Sequence, residues 1–358
     1  MKIVVFTCST GGGHNSCAKY IADEFNKVGI ECDVKDYMEL AGEKASKRAE
    51  KLYLDSTKGK GNIFKTVYKL GELYNKTGIK SPVYGFNKLV VKKLDEFLVS
   101  NNYDLAIGTH VFPCLALTAL KKKKDIKFIN VATDYECIPF WNETNPDLFV
   151  IPSEQLIPKF VEKGIKEEVL LPIGIPVASS FFEVNEDINV PHDKKRVLLT
   201  SGSMGFGEMK ACVEAILENI DCNLIVVCGS NKELKSELDK INSDKLYVLG
   251  FINNMNQYMK NSDVIIAKPG GLTSTEITMM RKPFVIMMPI PGVENYNARF
   301  FSENGMGLYA SDVNEVVLCT KRILENKELE NNMIENQKKY LNSKSAKDLV
   351  SYVGKNFK

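Results

Sequence analysis

Lys2-Ile-Val-Val-Phe-Thr-Cys-Ser-Thr-Gly-Gly-Gly-His14 opens the chain, and Arg196-Val-Leu-Leu-Thr-Ser-Gly-Ser-Met-Gly-Phe-Gly207 repeats its grammar past the middle. Each stretch is a short β-branched run, then a glycine-rich turn, then a helical pattern. After the first turn, Ala18, Ile21, Ala22 and Phe25 recur at helical spacing; after the second, Met209–Leu217 does the same. Further buried-strand runs are Asp104–Gly108, Phe128–Ala132, Leu148–Ile151, Asn223–Cys228, Lys245–Leu249, Val264–Ala267 and Phe284–Met288. Helical patterns separate most of them, which implies parallel sheets covered on both faces.

Two such units in 358 residues predict an α/β protein of two Rossmann-like, doubly wound domains. The expected division is 1–178 and 179–336, with a C-terminal helix over about 337–358 packing back on the first domain. The polar stretch 179–195, which lacks a clean period, is the expected linker. Ligands of open α/β sheets bind beyond the carboxyl ends of the strands. The glycine loops of the two halves are therefore expected to face each other across an interdomain cleft.

Composition excludes several classes. With 44% hydrophobic and 26% charged residues the chain is neither fibrous nor disordered throughout. Its apolar runs, such as Ile3–Phe6, fall far short of the roughly 20 residues of a membrane span. The first strand runs into glycines without a signal-peptide pattern, so a cytoplasmic location is expected. Nine cysteines without a Cys-x-x-Cys, and three histidines (His14, His110, His192) without ligand spacing, predict neither a disulfide framework nor a protein-bound metal.

The net charge of +2 conceals a bias. Residues 44–93 carry thirteen basic side chains against three acidic ones, interleaved with Tyr53, Phe64, Tyr68, Tyr74, Tyr84 and Phe86. Lys121–Lys124 adds a second cluster. Such a segment suits an anionic lipid surface or a nucleic acid, or is simply a solvated face.

Three loops carry chemistry. In Ala267-Lys-Pro-Gly-Gly-Leu-Thr-Ser-Thr-Glu276 a strand ends in a tight turn, and Thr273 or Ser274 is expected to cap the following helix. The glycines and the helix N-terminus suit a phosphate. Glu276 either closes a capping box with Thr273 or accepts the hydroxyls of a ribose. Pro291–Ala298 holds Glu294, Asn295 and Asn297, which suit sugar hydroxyls or a turn capping a helix over Ala298–Glu303. Gly202–Gly207 lacks the Gly-Lys-Ser/Thr of a Walker loop. His14, at the mouth of its glycine turn, is either a neutral general base near pH 7 or a capping group.

In order along nearly the whole chain, these segments resemble the family 28 glycosyltransferases of GT-B fold, most of all the diacylglycerol glycosyltransferases and monogalactosyldiacylglycerol synthases. The segments are Gly11–Ala18, Ala132-Thr-Asp-Tyr135, Pro152-Ser-Glu154, Gly174-Ile-Pro176, Gly202–Gly207, Gly250–Met255, Lys268–Thr273, Thr275-Glu276 and Pro291-Gly-x-Glu-Asn. The resemblance implies a UDP-sugar donor on the C-terminal domain, held by Gly202, Ser203, Met204, Gly205, Gly229, Phe251, Ile252, Lys268, Gly270, Gly271, Leu272, Thr273, Glu276, Glu294 and Asn295. Glu276 would bind the ribose, backbone groups near Phe251-Ile252 the uracil, and Gly270–Thr273 the diphosphate. The N-terminal domain would bind a lipid acceptor through Gly12, Gly13, His14, His110 and Tyr135. His14 would be the base, with Asp134 as its rival or its orienting partner.

No cofactor or metal is implied, because helix N-termini and loop amides can stabilise a departing diphosphate. The implied reaction is inverting transfer of a hexose to the hydroxyl of diacylglycerol. The implied place is the inner face of the cell membrane, with residues 44–93 docking on anionic lipid and no nucleic-acid partner. Two other readings use the same fold: a UDP-N-acetylglucosamine transferase to a polyprenyl-linked precursor, and a UDP-sugar 2-epimerase. Val293 departs from the glutamine common in relatives, and valine cannot hydrogen-bond a sugar hydroxyl, so the donor sugar stays open.

Overall fold

Ile3, Val4, Val5 and Phe6 are all fully buried, as are Val197, Leu198 and Leu199 in the second opening strand. Runs buried on both faces belong at the centre of parallel sheets, and each opens one. A computed structural model of the chain describes residues 1–8, 12–42, 90–184, 186–202 and 208–357. The chain divides into two compact units. The first comprises Met1–Ser179, Pro291–Val293 and Ser343–Lys358, and the second Ser180–Ile290 and Glu294–Asn342.

In the first unit the elements run β1 (Lys2–Thr7), α1 (Gly12–Lys27), β2 (Glu31–Asp36), α2 (Tyr37–Ala41), α3 (Val91–Ser100), β3 (Leu105–Gly108), α4 (Val111–Lys121), β4 (Lys127–Val131), β5 (Leu148–Val150), α5 (Ile157–Glu162) and β6 (Leu170–Leu171). The sheet order is β2-β1-β3-β4-β5-β6. Every pairing is parallel. The expected apolar face of α1 is buried in full: Ala18, Ile21, Ala22 and Phe25 are each at most 4% exposed. Glu24 on the same helix is buried and accepts the backbone N–H of Ser179 at 2.8 Å, which fastens the end of the unit to α1. A Cβ on Gly108 would come within 2.3 Å of Cys114 Sγ, so glycine lets α4 lie close against β3.

In the second unit the order along the chain is β7 (Lys195–Thr200), α6 (Met209–Asn219), β8 (Cys222–Val227), α7 (Lys232–Leu238), β9 (Leu246–Leu249), α8 (Met255–Lys260), β10 (Val264–Ala267), α9 (Gly271–Met279), β11 (Phe284–Met287), α10 (Val293–Glu303), β12 (Leu308–Ala310), α11 (Val313–Glu325) and α12 (Lys327–Tyr340). Its sheet is β12-β11-β10-β7-β8-β9, again all parallel. Buried Gln337 on α12 donates to the carbonyls of Lys282 and Met306, which fixes that helix to the sheet's edge. The last helix, α13 (Ser345–Asn356), packs on α1 in the first unit. Its Ser345 Oγ donates to the Ile175 carbonyl at 2.9 Å.

The stretch 179–195 carries more structure than its polar sequence suggests. Phe181, Val184, Ile188 and Val190 are buried. Arg196, only 2% exposed, gathers the segment by donating to Asp187 at 2.8 Å and to the carbonyls of Pro191 and Val190. The nine cysteines are all buried free thiols. Among the described residues no helix is long and apolar enough to cross a membrane.

Candidate functional site

In a doubly wound sheet the strand order reverses at one point, and the loops leaving the two strands there part to form a crevice. In the first unit that point lies between β1 and β3, since the chain runs outward to β2 and then returns to β1's other side. The loop after β1 leads to His14 and the loop after β3 to His110. The next strand, β4, ends before Thr133 and Asp134. Residues distant in sequence are thus brought to one sheet edge.

His14 lies in the first turn of α1, half-buried. Its Nδ1 is 2.8 Å from the Thr109 carbonyl and 3.0 Å from Thr133 Oγ1. A carbonyl only accepts, so Nδ1 carries the proton and donates; the neutral ring therefore keeps its lone pair on Nε2. Thr109 also donates its hydroxyl to the His14 carbonyl at 3.1 Å, so the two segments grip each other twice. Burial pushes the His14 pKa below 6.5, while the Asp134 carboxylate and the Thr109 carbonyl pull it back up. The result is an imidazole that is neutral at pH 7 with an anion beside it to favour the charged form.

His110 sits edge-on to His14, with ring centroids 4.8 Å apart and planes at 85°. It is also the N-cap of α4, its Nδ1 accepting the Phe112 N–H at 3.2 Å. Tyr135 departs from the expected acceptor contact, because its side chain is fully buried in the core. Gly12 and Gly13 do open α1 beside His14, with Gly13 exposed. Thr109 and Thr133 were not singled out from sequence. Their only signal is position: each precedes a candidate residue at a strand's carboxyl end.

In the second unit the order reverses between β7 and β10. The loops there are the glycine loop after β7 and Lys268–Gly270 after β10. Gly202 is left-handed at φ +74. Ser203, Met204 and Gly205 lie outside the described residues, as do Gly11 and positions 44–89 of the basic segment.

The expected cap on the helix after β10 is absent. α9 begins at Gly271, its N-cap is Gly270, and no side chain caps it. A glycine N-cap lets the helix start three residues earlier than a Thr273 cap would, which places Thr273 inside the first turn and rules out a Thr273–Glu276 capping box. Gly271 and Leu272 are buried, Thr273 is half-buried, and Glu276 is 8% exposed in the second turn. The N-cap residue therefore offers no side-chain acceptor to the first-turn N–H groups of α9. Two buried hydroxyls nearby in the fold have no partner among the described residues: Thr200 Oγ1 at the end of β7 and Ser274 Oγ on α9.

The following loop is also shorter than its sequence suggests. α10 starts at Val293, so Glu294 and Asn295 belong to its first turn rather than to a loop before Ala298. The Glu294 carboxylate accepts the Ile290 N–H at 2.6 Å, and an acid there suits a helix N-terminus. Burial lowers the Lys268 pKa and Glu294 opposes that shift, so the two charges face each other. Asn297 is fully buried and donates to the Pro269 carbonyl at 3.0 Å; it ties down the glycine turn instead of reaching a sugar. Asn295 is exposed. Gly229, left-handed at φ +58, follows β8; Phe251, 64% exposed, and half-buried Ile252 follow β9. In the second basic cluster Lys121 pairs with Asp147 and Lys124 with Asp95. Among the described residues no group of three or more His, Cys, Asp or Glu is placed to hold a metal ion.

Comparison with known proteins agrees with this layout. Residues 14–177 match the family model of monogalactosyldiacylglycerol (MGDG) synthase, and residues 196–353 that of the glycosyltransferase family 28 C-terminal domain. A processive diacylglycerol beta-glucosyltransferase of Bacillus cereus (strain B4264) is 30% identical over 344 residues, 90% of this chain and 86% of that protein. The chain belongs to the diacylglycerol glycosyltransferase branch of family 28.

Among solved structures, the spinosyn rhamnosyltransferase SpnG complexed with thymidine diphosphate aligns with a TM-score of 0.69 at 12% identity. That alignment covers 98% of this chain and 100% of that one. MurG of Acinetobacter baumannii aligns with a TM-score of 0.63 at 14% identity, covering 99% and 100%. At these identities they bear on the fold alone, and the fold of this family member is GT-B.

Proposed function

We propose that this member of the family transfers a hexose from a UDP-sugar to the hydroxyl of diacylglycerol, with inversion and without a metal ion, at the inner face of the cell membrane. The observation that carries the reading is His14: a neutral imidazole locked by the Thr109 carbonyl, with the lone pair on Nε2 and Asp134 beside it. Nε2 takes the proton of the acceptor hydroxyl as its oxygen bonds to the anomeric carbon. The bond from that carbon to UDP breaks, and its electron pair leaves on the diphosphate. Asp134 favours the imidazolium so formed. Direct displacement of this kind turns a UDP-α-sugar into a β-glycoside.

The donor belongs to the second unit in this reading. The uncapped start of α9 supplies N–H groups and positive potential for the diphosphate. Thr200 Oγ1 and Ser274 Oγ, unpartnered among the described residues, suit the same polar ligand. Glu276 is the ribose acceptor, and Glu294 with Asn295 meets the sugar. Membrane docking rests on the charge of residues 44–93: at about 1 kcal/mol per basic residue near an anionic surface, half of them suffice for reversible binding. The relatives' name makes glucose the first donor to try.

The test is UDP binding by calorimetry with Glu276→Ala, alongside glycolipid formation from each UDP-sugar. Unchanged UDP affinity in the variant would contradict the donor assignment. Conversion of the UDP-sugar without any acceptor would favour an epimerase.

A further inference from the structure

His110 and His14 are opposite tautomers held against each other. The His110 Nδ1 accepts from the Phe112 backbone, so that nitrogen has no proton and the neutral ring carries it on Nε2. The His14 Nδ1 donates to the Thr109 carbonyl, so its free lone pair is on Nε2. The rings meet at 85°, and Phe112 packs on His110 with a centroid distance of 4.6 Å and planes at 74°. His110 therefore has two anchors, the helix start through Nδ1 and the Phe112 ring.

We propose that His110 is a positioning residue for the base: fixed to the start of α4, its ring walls one side of His14 and holds that imidazole with Nδ1 on the Thr109 carbonyl and Nε2 open to the acceptor hydroxyl. The proposal rests on the reading of His14 as the base. An unwalled imidazole turns about its side-chain bonds and samples both tautomers; a walled one presents one nitrogen. Burial and then the charge of His14 hold the His110 pKa well below 6.5, so a proton reaching the pair settles on His14. Protonating His110 at Nδ1 would break its helix cap. Among the described residues, the titratable groups facing His14 are Asp134, after β4, and His110, at the start of α4; Thr109 and Thr133 are neutral.

The variants His110→Asn and His110→Ala separate cap from wall. Asparagine is among the best N-caps and keeps an acceptor for the Phe112 N–H, but has no ring. Two readouts apply to the full chain. Nitrogen-15 NMR resolves tautomers directly, and the chain has only three histidines. Steady-state kinetics on diacylglycerol vesicles gives the pH profile.

In the unsubstituted protein His14 is expected as the Nδ1–H form and His110 as the Nε2–H form. In His110→Asn the thermal midpoint holds, His14 becomes a mixture of tautomers with a raised pKa, and the acid limb of kcat/KM moves up in pH. The kcat falls on the order of 10–100-fold while the donor KM is unchanged. His110→Ala adds a loss of thermal stability. If His14 in His110→Asn stays wholly Nδ1–H with an unchanged pKa, His110 is only a helix cap and the proposal is overturned. His14→Asn tells the two readings apart: if it keeps the activity and the acid limb, the base assignment fails, while the NMR result still decides whether His110 sets His14.

Discussion

Replacing His14 with asparagine removes the basic nitrogen yet leaves an amide N–H near the place of the imidazole Nδ1–H. The 2.8 Å bond to the Thr109 carbonyl then survives, and stability should change by no more than about 0.5 kcal/mol. Alanine loses that bond and about 1 kcal/mol with it. Both variants lose the proton acceptor. A positioned general base contributes about 10²–10⁴ in rate, so kcat should fall by that factor, equivalent to about 3–5 kcal/mol of barrier. The UDP affinity should not move, because every donor group assigned here belongs to the second unit and His14 to the first.

The assay is initial-rate glycolipid formation from a radiolabelled UDP-sugar on diacylglycerol vesicles, with UDP calorimetry as control. The pH dependence adds a sign. Burial lowers the His14 pKa, so the acid limb of kcat/KM should lie below 6.5 and activity should be flat near pH 7. For stability, the unfolded chain takes a proton at His14 before the folded chain does. This contribution is full above 6.5 and is lost as pH falls toward the lowered folded value. Asp134→Asn should move the acid limb further down, since the anion that favours the imidazolium is gone. If His14→Asn retains more than about a tenth of kcat, the base is another group and the reasoning from the tautomer is wrong.

Ser274→Ala should raise the stability of the unliganded protein by about 1 kcal/mol, since it deletes a buried hydroxyl without a partner among the described residues. The same change should weaken UDP binding about tenfold; calorimetry showing no loss would mean the hydroxyl meets only water. Asn297→Ala leaves the buried Pro269 carbonyl without its donor. A loss of about 1–3 kcal/mol in urea unfolding is expected, with a raised donor KM, and an unchanged KM would show that the turn holds its shape unaided. Arg196→Met removes a charged donor from the carbonyls of Pro191 and Val190, at about 3 kcal/mol. Arg196, then His192, holds the Asp187 carboxyl below the usual range. That part of the stability is present above about pH 4 and is lost in acid, and the variant should lose less of it in urea titrations across pH.

The central strands were legible because a parallel sheet demands continuous apolar runs, and β1, β7 and β10 have them. The edges were not. β2 reads Glu31-Cys-Asp-Val-Lys-Asp36, and a charged, partly exposed edge strand carries no apolar run. β6 has two residues and β12 three, below any periodic signal. α9 and α10 start earlier than their sequence signals, because Gly271 and Val293 give no capping signal although the backbone allows helix there.

The site was half legible. His14, Asp134 and the glycine turns stand out as residue types at strand ends. The tautomer of His14 did not, because its partners Thr109 and Thr133 are 95 and 119 residues away in the chain. Only the crossing of β1, β3 and β4 brings them together. Asn297 misled for a related reason: an amide that ties a loop looks in sequence like one that grips a sugar.

The most direct test is product formation on anionic vesicles containing diacylglycerol, with UDP-glucose, UDP-galactose and UDP-N-acetylglucosamine supplied in turn and chelator present. The expected result is a β-glycosyl diacylglycerol from one of these donors, resolved by mass spectrometry and NMR, formed without added metal and abolished by His14→Asn. No glycolipid from any donor, while UDP still binds, would contradict the assignment of diacylglycerol as the acceptor.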